Sequence, residues 1–173
     1  HTIIAVETTD GEDFGSFTSE PRRKNWNFFG SGESILWRLR NSRLLKHTSI
    51  LDQAQKESEI DVYPYTGKND SIQLCTHDKI AVGGGTGDEA EQDLGIAKYD
   101  WGFGLVLDTD LLHGSSSPCM TFGSPSLSVV HGDGSAFEVS NVELWTLTPC
   151  TTQEEAEKLE LGRLFLRKHG KLN

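Results

Sequence analysis

The chain has 173 residues, enough for one domain with a substantial core and too few for two. A hydrophobic content of 35%, a charged content of 24% and 18 glycines fit a globular domain with long loops and exclude a fibrous or disordered chain. No apolar run approaches the roughly 20 residues needed to span a bilayer. The formal net charge of −10 argues against general nucleic-acid binding and against broad adhesion to anionic membrane, both of which need clustered Lys and Arg.

In chain order, the periodicity is that of strands. Thr2 to Thr8 is rich in β-branched residues, and Asp10-Gly11 offers a tight turn into Phe14 to Thr18, which predicts a hairpin. Ile35, Trp37 and Leu39 alternate with Ser34, Arg38 and Arg40, the period-two pattern of a half-buried strand with the large apolar residues inside. Further strands are predicted at Asp61 to Tyr65, Ser71 to Thr76, Lys79 to Val82 and around Phe103, Leu105 and Leu107. A pair follows at Phe137 to Val139 and Val142 to Leu147. Short strands divided by Gly-, Asn- and Asp-rich turns predict an antiparallel sandwich rather than a parallel sheet.

Two stretches break the pattern. Residues 41 to 60 are polar without alternation, and residues 86 to 100 carry Asp88, Glu89, Glu91 and Asp93; both are expected to be surface excursions, mobile at their tips. The C-terminus differs in kind. Thr152-Gln153-Glu154-Glu155 fits a capping box, and Glu154, Glu155 and Glu157 sit at the positive end of a predicted helix. Arg163, Arg167 and Lys168 sit at its negative end, Ala156, Leu159 and Leu166 supply apolar surface, and Gly170 is the expected stop.

Several residues invite a chemical reading. Gly83 to Gly85 with Thr86-Gly87 could cradle a phosphate, but no Lys-Ser or Lys-Thr follows and the next charges are acidic. Backbone close-packing, or positive φ at a strand end, explains them better. His113 with Ser115, Ser116 and Ser117, and Glu33 as orienting carboxylate, are the raw material of nucleophilic catalysis. The stretch lacks a Gly-x-Ser-x-Gly elbow, however, and a buried turn with His113 and Glu33 hydrogen-bonded inside the fold is favoured. Glu33, just before an apolar strand, is expected to be partly buried and ion-paired with Arg22 or Arg23. His77-Asp78 and Asp108-Thr109-Asp110 match no calcium-loop or paired-His spacing, so no metal site and no cofactor are expected. Cys75, Cys119 and Cys150 are widely spaced and odd in number, which predicts three reduced thiols in a cytosolic setting rather than a disulfide scaffold or zinc cage. The basic runs Arg22-Arg23-Lys24 and Arg163 to Lys171 read as solvated faces or as partner-binding patches.

Specificity lies in unlike residues at fixed offsets. Asp13-Phe14-Gly15-Ser16-Phe17-Thr18-Ser19-Glu20-Pro21-Arg22 is followed by Phe28-Phe29-Gly30-Ser31-Gly32-Glu33-Ser34. Next come Gly67-Lys68-Asn69-Asp70, Leu74-Cys75, His77-Asp78 and Gly83-Gly84-Gly85. Leu107-Asp108-Thr109-Asp110-Leu111-Leu112-His113-Gly114-Ser115-Ser116, Thr121-Phe122-Gly123 and Val142-Glu143-Leu144-Trp145 complete the order. This series resembles the TLDc domain over roughly residues 1 to 147. The resemblance implies an α+β, mainly β fold: a sandwich of two antiparallel sheets with a few short peripheral helices and a C-terminal helix. It assigns residues 1–150 to the domain, with an upstream portion missing before His1, and leaves 151–173 as an appended amphipathic helix. It further implies a non-enzymatic interaction module that binds and regulates the V-type proton ATPase and supports resistance to oxidative stress. That module would be cytoplasmic, recruited to the cytosolic face of acidic organelles, without membrane insertion and without nucleic-acid partners. Glu20, Arg22, Arg23, Arg163 and Arg167 are the partner-binding candidates. The alternative is a weak hydrolase using His113 with Ser115 or Ser116, or a thiol-based antioxidant enzyme using a reactive cysteine.

Overall fold

The computed structural model describes residues 1–40, 51, 59–85, 102–132, 134–147, 150 and 152–168, with the side chains of residues 160 and 163–168 outside that description. Among the described residues the chain forms ten strands: β1 (Thr2–Thr8), β2 (Asp13–Thr18), β3 (Asn25–Phe29), β4 (Ile35–Leu39), β5 (Ile60–Pro64), β6 (Gln73–Cys75), β7 (Lys79–Val82), β8 (Leu105–Asp108), β9 (His113–Ser115) and β10 (Ala136–Thr146). A helix, α1 (Gln153–Lys168), follows them. Most of the two predicted excursions, within 41 to 60 and 86 to 100, lies outside the described residues, as does the helix stop expected at Gly170.

All pairings are antiparallel, and the strands run in the order β3-β6-β7-β8-β9-β10-β1-β2-β4-β5. The mainly β expectation holds, but hydrogen bonding joins all ten strands into one sheet rather than two. The reason is β10. It is a single eleven-residue strand where the sequence suggests two, pairing with β9 through Ala136–Glu138 and with β1 through Val139–Thr146. The register against β1 jumps from Glu7↔Asn141 to Thr8↔Val139, so Ser140 is an extra residue. A bulge of this kind bends a strand and increases its twist, and here it falls where β10 changes partners.

Both halves of the sheet line one core. Ile4, Val6, Phe14 and Leu36 from β1, β2 and β4 cluster with Val82, Leu105, Leu107 and Phe137 from β7, β8 and β10. Phe14 meets Phe137 edge to face, with centroids 5.2 Å apart. A smaller cluster of Leu74, Ala81 and Val106, packed by Phe28 and Phe103, covers the other face of β6–β8. Leu105, Val106 and Leu107 are therefore all buried.

β4 corrects the sequence reading most sharply. Ser34 and Leu36 are fully buried, whereas Ile35, Trp37 and Leu39 lie half-buried on the opposite face. The strand period is two as predicted, but the parity is inverted. Leu36, rather than its larger neighbours, faces the core. Gly15 on β2 belongs to the same outer face: a Cβ there would lie 1.9 Å from the Ile4 carbonyl oxygen and 2.8 Å from the Trp37 ring. Only glycine lets β1 and Trp37 approach β2 this closely.

α1 begins as predicted. The Thr152 hydroxyl accepts the Glu155 N–H at 3.3 Å, and Glu154 and Glu155 lie in the first turn. Leu159 and Leu161 are exposed on it. Among the described residues no helix is long and apolar enough to cross a membrane.

Candidate functional site

Glu33 sits in the turn just before β4, outside the strand whose alternation buries Leu36. Glu33 is exposed, not partly buried as expected, and its backbone N–H donates to the Ser31 hydroxyl at 3.4 Å. Arg22 and Arg23 do not share the role foreseen for them either. Arg23 ion-pairs with Glu20 at 3.3 Å on the surface and lies 4.3 Å over the Phe29 ring. Arg22 turns inward: Nη2 donates to the Ser16 hydroxyl at 3.2 Å, and Nη1 lies 4.0 Å from the Cys75 sulfur. Burial pulls the Arg22 pKa below its usual value, with the neighbouring Cys75 opposing that change. The basic run is thus split into one half-buried, inward-turned cation and two exposed ones. Arg163 and Arg167 fall within α1, but their side chains lie outside the described residues.

The nominated catalytic residues are separated by the alternation of β9 and the residue after it. His113 is exposed and its Nδ1 lies 3.1 Å from Asp110 Oδ2. Asp110 is held below the usual carboxylate range, first by the Leu112 N–H at 2.8 Å and then by His113. Leu111, at φ +57, adopts the left-handed conformation that closes this turn. Ser116 is fully buried. Its hydroxyl donates to the Gly104 carbonyl at 2.5 Å and accepts the Leu127 N–H at 2.8 Å, so it is a structural rivet between loops. Ser115 is half-buried on β9.

The glycine triplet does what close packing demands. Gly83 and Gly85 have φ of +78 and +79, and a Cβ on Gly83 would sit 2.4 Å from the Cys119 sulfur. Between them, Gly84 N donates to the Thr121 hydroxyl at 2.9 Å, and Asn69 Oδ1 lies 2.7 Å from the same hydroxyl. Thr121 thereby ties Asn69, Ser71 and Gly84 together, joining three motifs far apart in sequence. Cys75 and Cys119 are buried and Cys150 half-buried, all three as free thiols.

Sequence reading missed a polar cluster beside the β1–β2 turn. Glu12 is buried; its Oε2 accepts the Ser128 hydroxyl at 2.6 Å, while Oε1 accepts the N–H groups of Val129 at 2.6 Å and Val130 at 3.3 Å. Next to it, His131 Nε2 lies 3.1 Å from Asp10 Oδ2 and His131 Nδ1 lies 3.2 Å from the Ser135 hydroxyl. The available signal was Glu12 itself, a carboxylate between a turn glycine and a strand. Its partner segment lies more than a hundred residues downstream, with no motif to announce it.

The second surface feature is β3, at one end of the strand order. Trp26 is 67% exposed, stands edge-on to His77 with centroids 5.0 Å apart, and follows the exposed pair Arg23 and Lys24. Phe28 stacks on Phe103 at 6.3 Å, and Lys79 Nζ lies 5.1 Å over the Phe103 ring.

Among the described residues the domain is mainly β, Ser116 is committed to backbone groups, and Arg23, Lys24 and Trp26 stand exposed in and just before β3. The profile of the TLDc domain matches residues 1–148, and the chain belongs to that family. It is 29% identical to oxidation resistance protein 1 of Podospora anserina, covering 84% of this chain and 44% of that protein. Identity to oxidation resistance protein 1 of Yarrowia lipolytica is 30%, covering 83% and 48%, and to that of Homo sapiens 28%, covering 83% and 12%. The chain spans about half the length of the fungal relatives and a much smaller part of the human one.

Proposed function

We propose that this chain is a non-enzymatic interaction module that binds and regulates the V-type proton ATPase from the cytosolic side and thereby supports resistance to oxidative stress. TLDc membership over residues 1–148 carries the reading, and the names of its relatives give the physiological direction. The geometry supports a binding role. Arg23, Lys24 and Trp26 stand exposed in one short segment, whereas Ser116 spends its hydroxyl on two backbone groups. Glu20 steadies Arg23 through their ion pair, which at such exposure contributes on the order of 0–1 kcal/mol and orients more than it stabilises.

The test is a pull-down of the 173-residue chain against purified V-type ATPase catalytic sector, alongside Arg23→Glu and a form lacking residues 152–173. Capture by the intact chain, with melting temperatures unchanged in the variants, is the expected result, and weaker capture by either variant assigns the contact to β3 or to α1. No capture by the intact chain overturns pump binding.

A further inference from the structure

We propose that β3 is a docking edge that accepts an extended, acidic segment of a partner as an eleventh antiparallel or parallel strand. A sheet edge carries unpaired N–H and C=O groups, and proteins ordinarily guard it with proline, inward-pointing charge or cover. The two ends of this sheet are treated differently. At the β5 end, Pro64 closes the strand, and Asp61 is pinned by Arg38 at 3.3 Å and Arg40 at 2.7 Å. That edge is blunted by both devices. At the β3 end, Asn25-Trp26-Asn27-Phe28-Phe29 contains neither proline nor charge. Its own pairing to β6 is sparse, held at Asn25↔Cys75 and Phe29↔Gln73 with an irregularity between them. Ring contacts hold its flank instead, through Trp26 with His77 and Phe28 with Phe103.

The side chains around this edge define the partner's chemistry. Trp26, two-thirds exposed, is an anchor of the kind that dominates interface energy. Arg23 and Lys24 lead directly into the strand, and Lys79 stands over Phe103 beside it. Glu20 occupies part of Arg23's charge, and Asp78 lies 3.7 Å from His77 and within the field of Lys79; among the described residues Lys24 and Lys79 form no close ion pair. In a chain of net charge −10, these cations lessen the repulsion that an acidic strand would meet at this edge. Strand addition would supply affinity through the backbone, while alternate acidic and apolar side chains would read the cations and Trp26. The inference rests on the interaction-module reading and adds the mode of binding and the chemistry of the ligand.

Fluorescence anisotropy with a labelled decapeptide of alternating glutamate and valine tests it without any pump subunit. Failure here therefore leaves the pump pull-down untouched, and failure of the pull-down leaves this test intact. Controls are the same peptide with lysine for glutamate, and the acidic peptide N-methylated at alternate residues. The expected result is saturable binding of the acidic peptide, with amide-exchange protection across residues 25–29. Trp26→Ser should weaken it about tenfold, a loss of roughly 1.4 kcal/mol. Lys24→Glu should weaken it severalfold, more so at low salt. Both variants lie on the surface, and an unchanged melting temperature verifies the fold. N-methylation should abolish binding, because it removes the peptide's strand-pairing donors. Absence of binding at millimolar peptide, equal binding of the lysine or N-methylated peptide, or indifference to Trp26→Ser would each overturn the proposal.

Discussion

Replacing Glu12 by alanine removes the carboxylate that fastens the 128–130 turn to the β1–β2 hairpin. Three donors lose their acceptor: the Ser128 hydroxyl at 2.6 Å and the amides of Val129 and Val130 at 2.6 and 3.3 Å. Ser128 is fully buried, so its hydroxyl cannot simply turn to solvent. Hydrogen bonds to a charged group contribute about 1.5–3 kcal/mol each, and the three share one anchor, so a total loss of about 3–5 kcal/mol is expected rather than their sum. At about 2–4 °C per kcal/mol for a chain of this size, the melting temperature should fall by roughly 10 °C. Glu12→Gln keeps the shape and one carbonyl acceptor, and should cost about half as much. Urea unfolding followed by Trp fluorescence measures the stability, and amide exchange at Val129 localises the effect. A loss below about 1 kcal/mol for Glu12→Ala, with Val129 exchange unchanged, would refute the anchoring role.

Three further outcomes follow from the packing and the charges. Phe14→Ala, at a fully buried ring in edge contact with Phe137, should cost about 3–5 kcal/mol in chemical denaturation; a loss under about 1 kcal/mol would mean the core closes without it. Thr18→Val removes a fully buried hydroxyl that has no hydrogen-bond partner among the described residues and keeps the side-chain shape, so stability should rise by about 1 kcal/mol; a fall would show that the hydroxyl is satisfied. Asp61 is held below the ordinary carboxylate pKa of 3.8, first by the Arg40 hydrogen bond. Because its folded pKa is depressed, its contribution is present above the unfolded value and is lost as pH falls through the folded one. Acid titration of thermal stability should therefore show a decline below about pH 4 that is shallower in Asp61→Asn, and an identical slope would remove Asp61 from the account.

How far the sequence could be read depended on whether a signal was local. Strand period is local, and Thr2–Thr8, Asp13–Thr18 and Lys79–Val82 appear where alternation and turn chemistry place them. Parity is not local. Ile35, Trp37 and Leu39 outweigh Leu36 by size, yet the core claims Leu36 and Ser34 because the pairing of β4 between β2 and β5 sets which face turns in. Glu33 stands exposed in the turn before that strand, while Arg23 pairs with Glu20 and Arg22 turns to Ser16. β3 and β9 escaped notice for a related reason. One is an irregular edge strand and the other three residues with a central glycine, so neither is long enough to show a period. The glycine triplet was legible as backbone packing because positive φ is a property of the residue itself, whereas its dependence on Thr121 was not. The motif residues Ser116 and Thr121 consequently report on the scaffold, spending their polar atoms holding loops as Glu12, outside the motif blocks, also does. Binding chemistry has to be sought where the fold leaves polar backbone and aromatic surface unspent. Of the two ends of the sheet, β5 carries the proline and the inward charge that guard an edge, and β3 carries Trp26 instead.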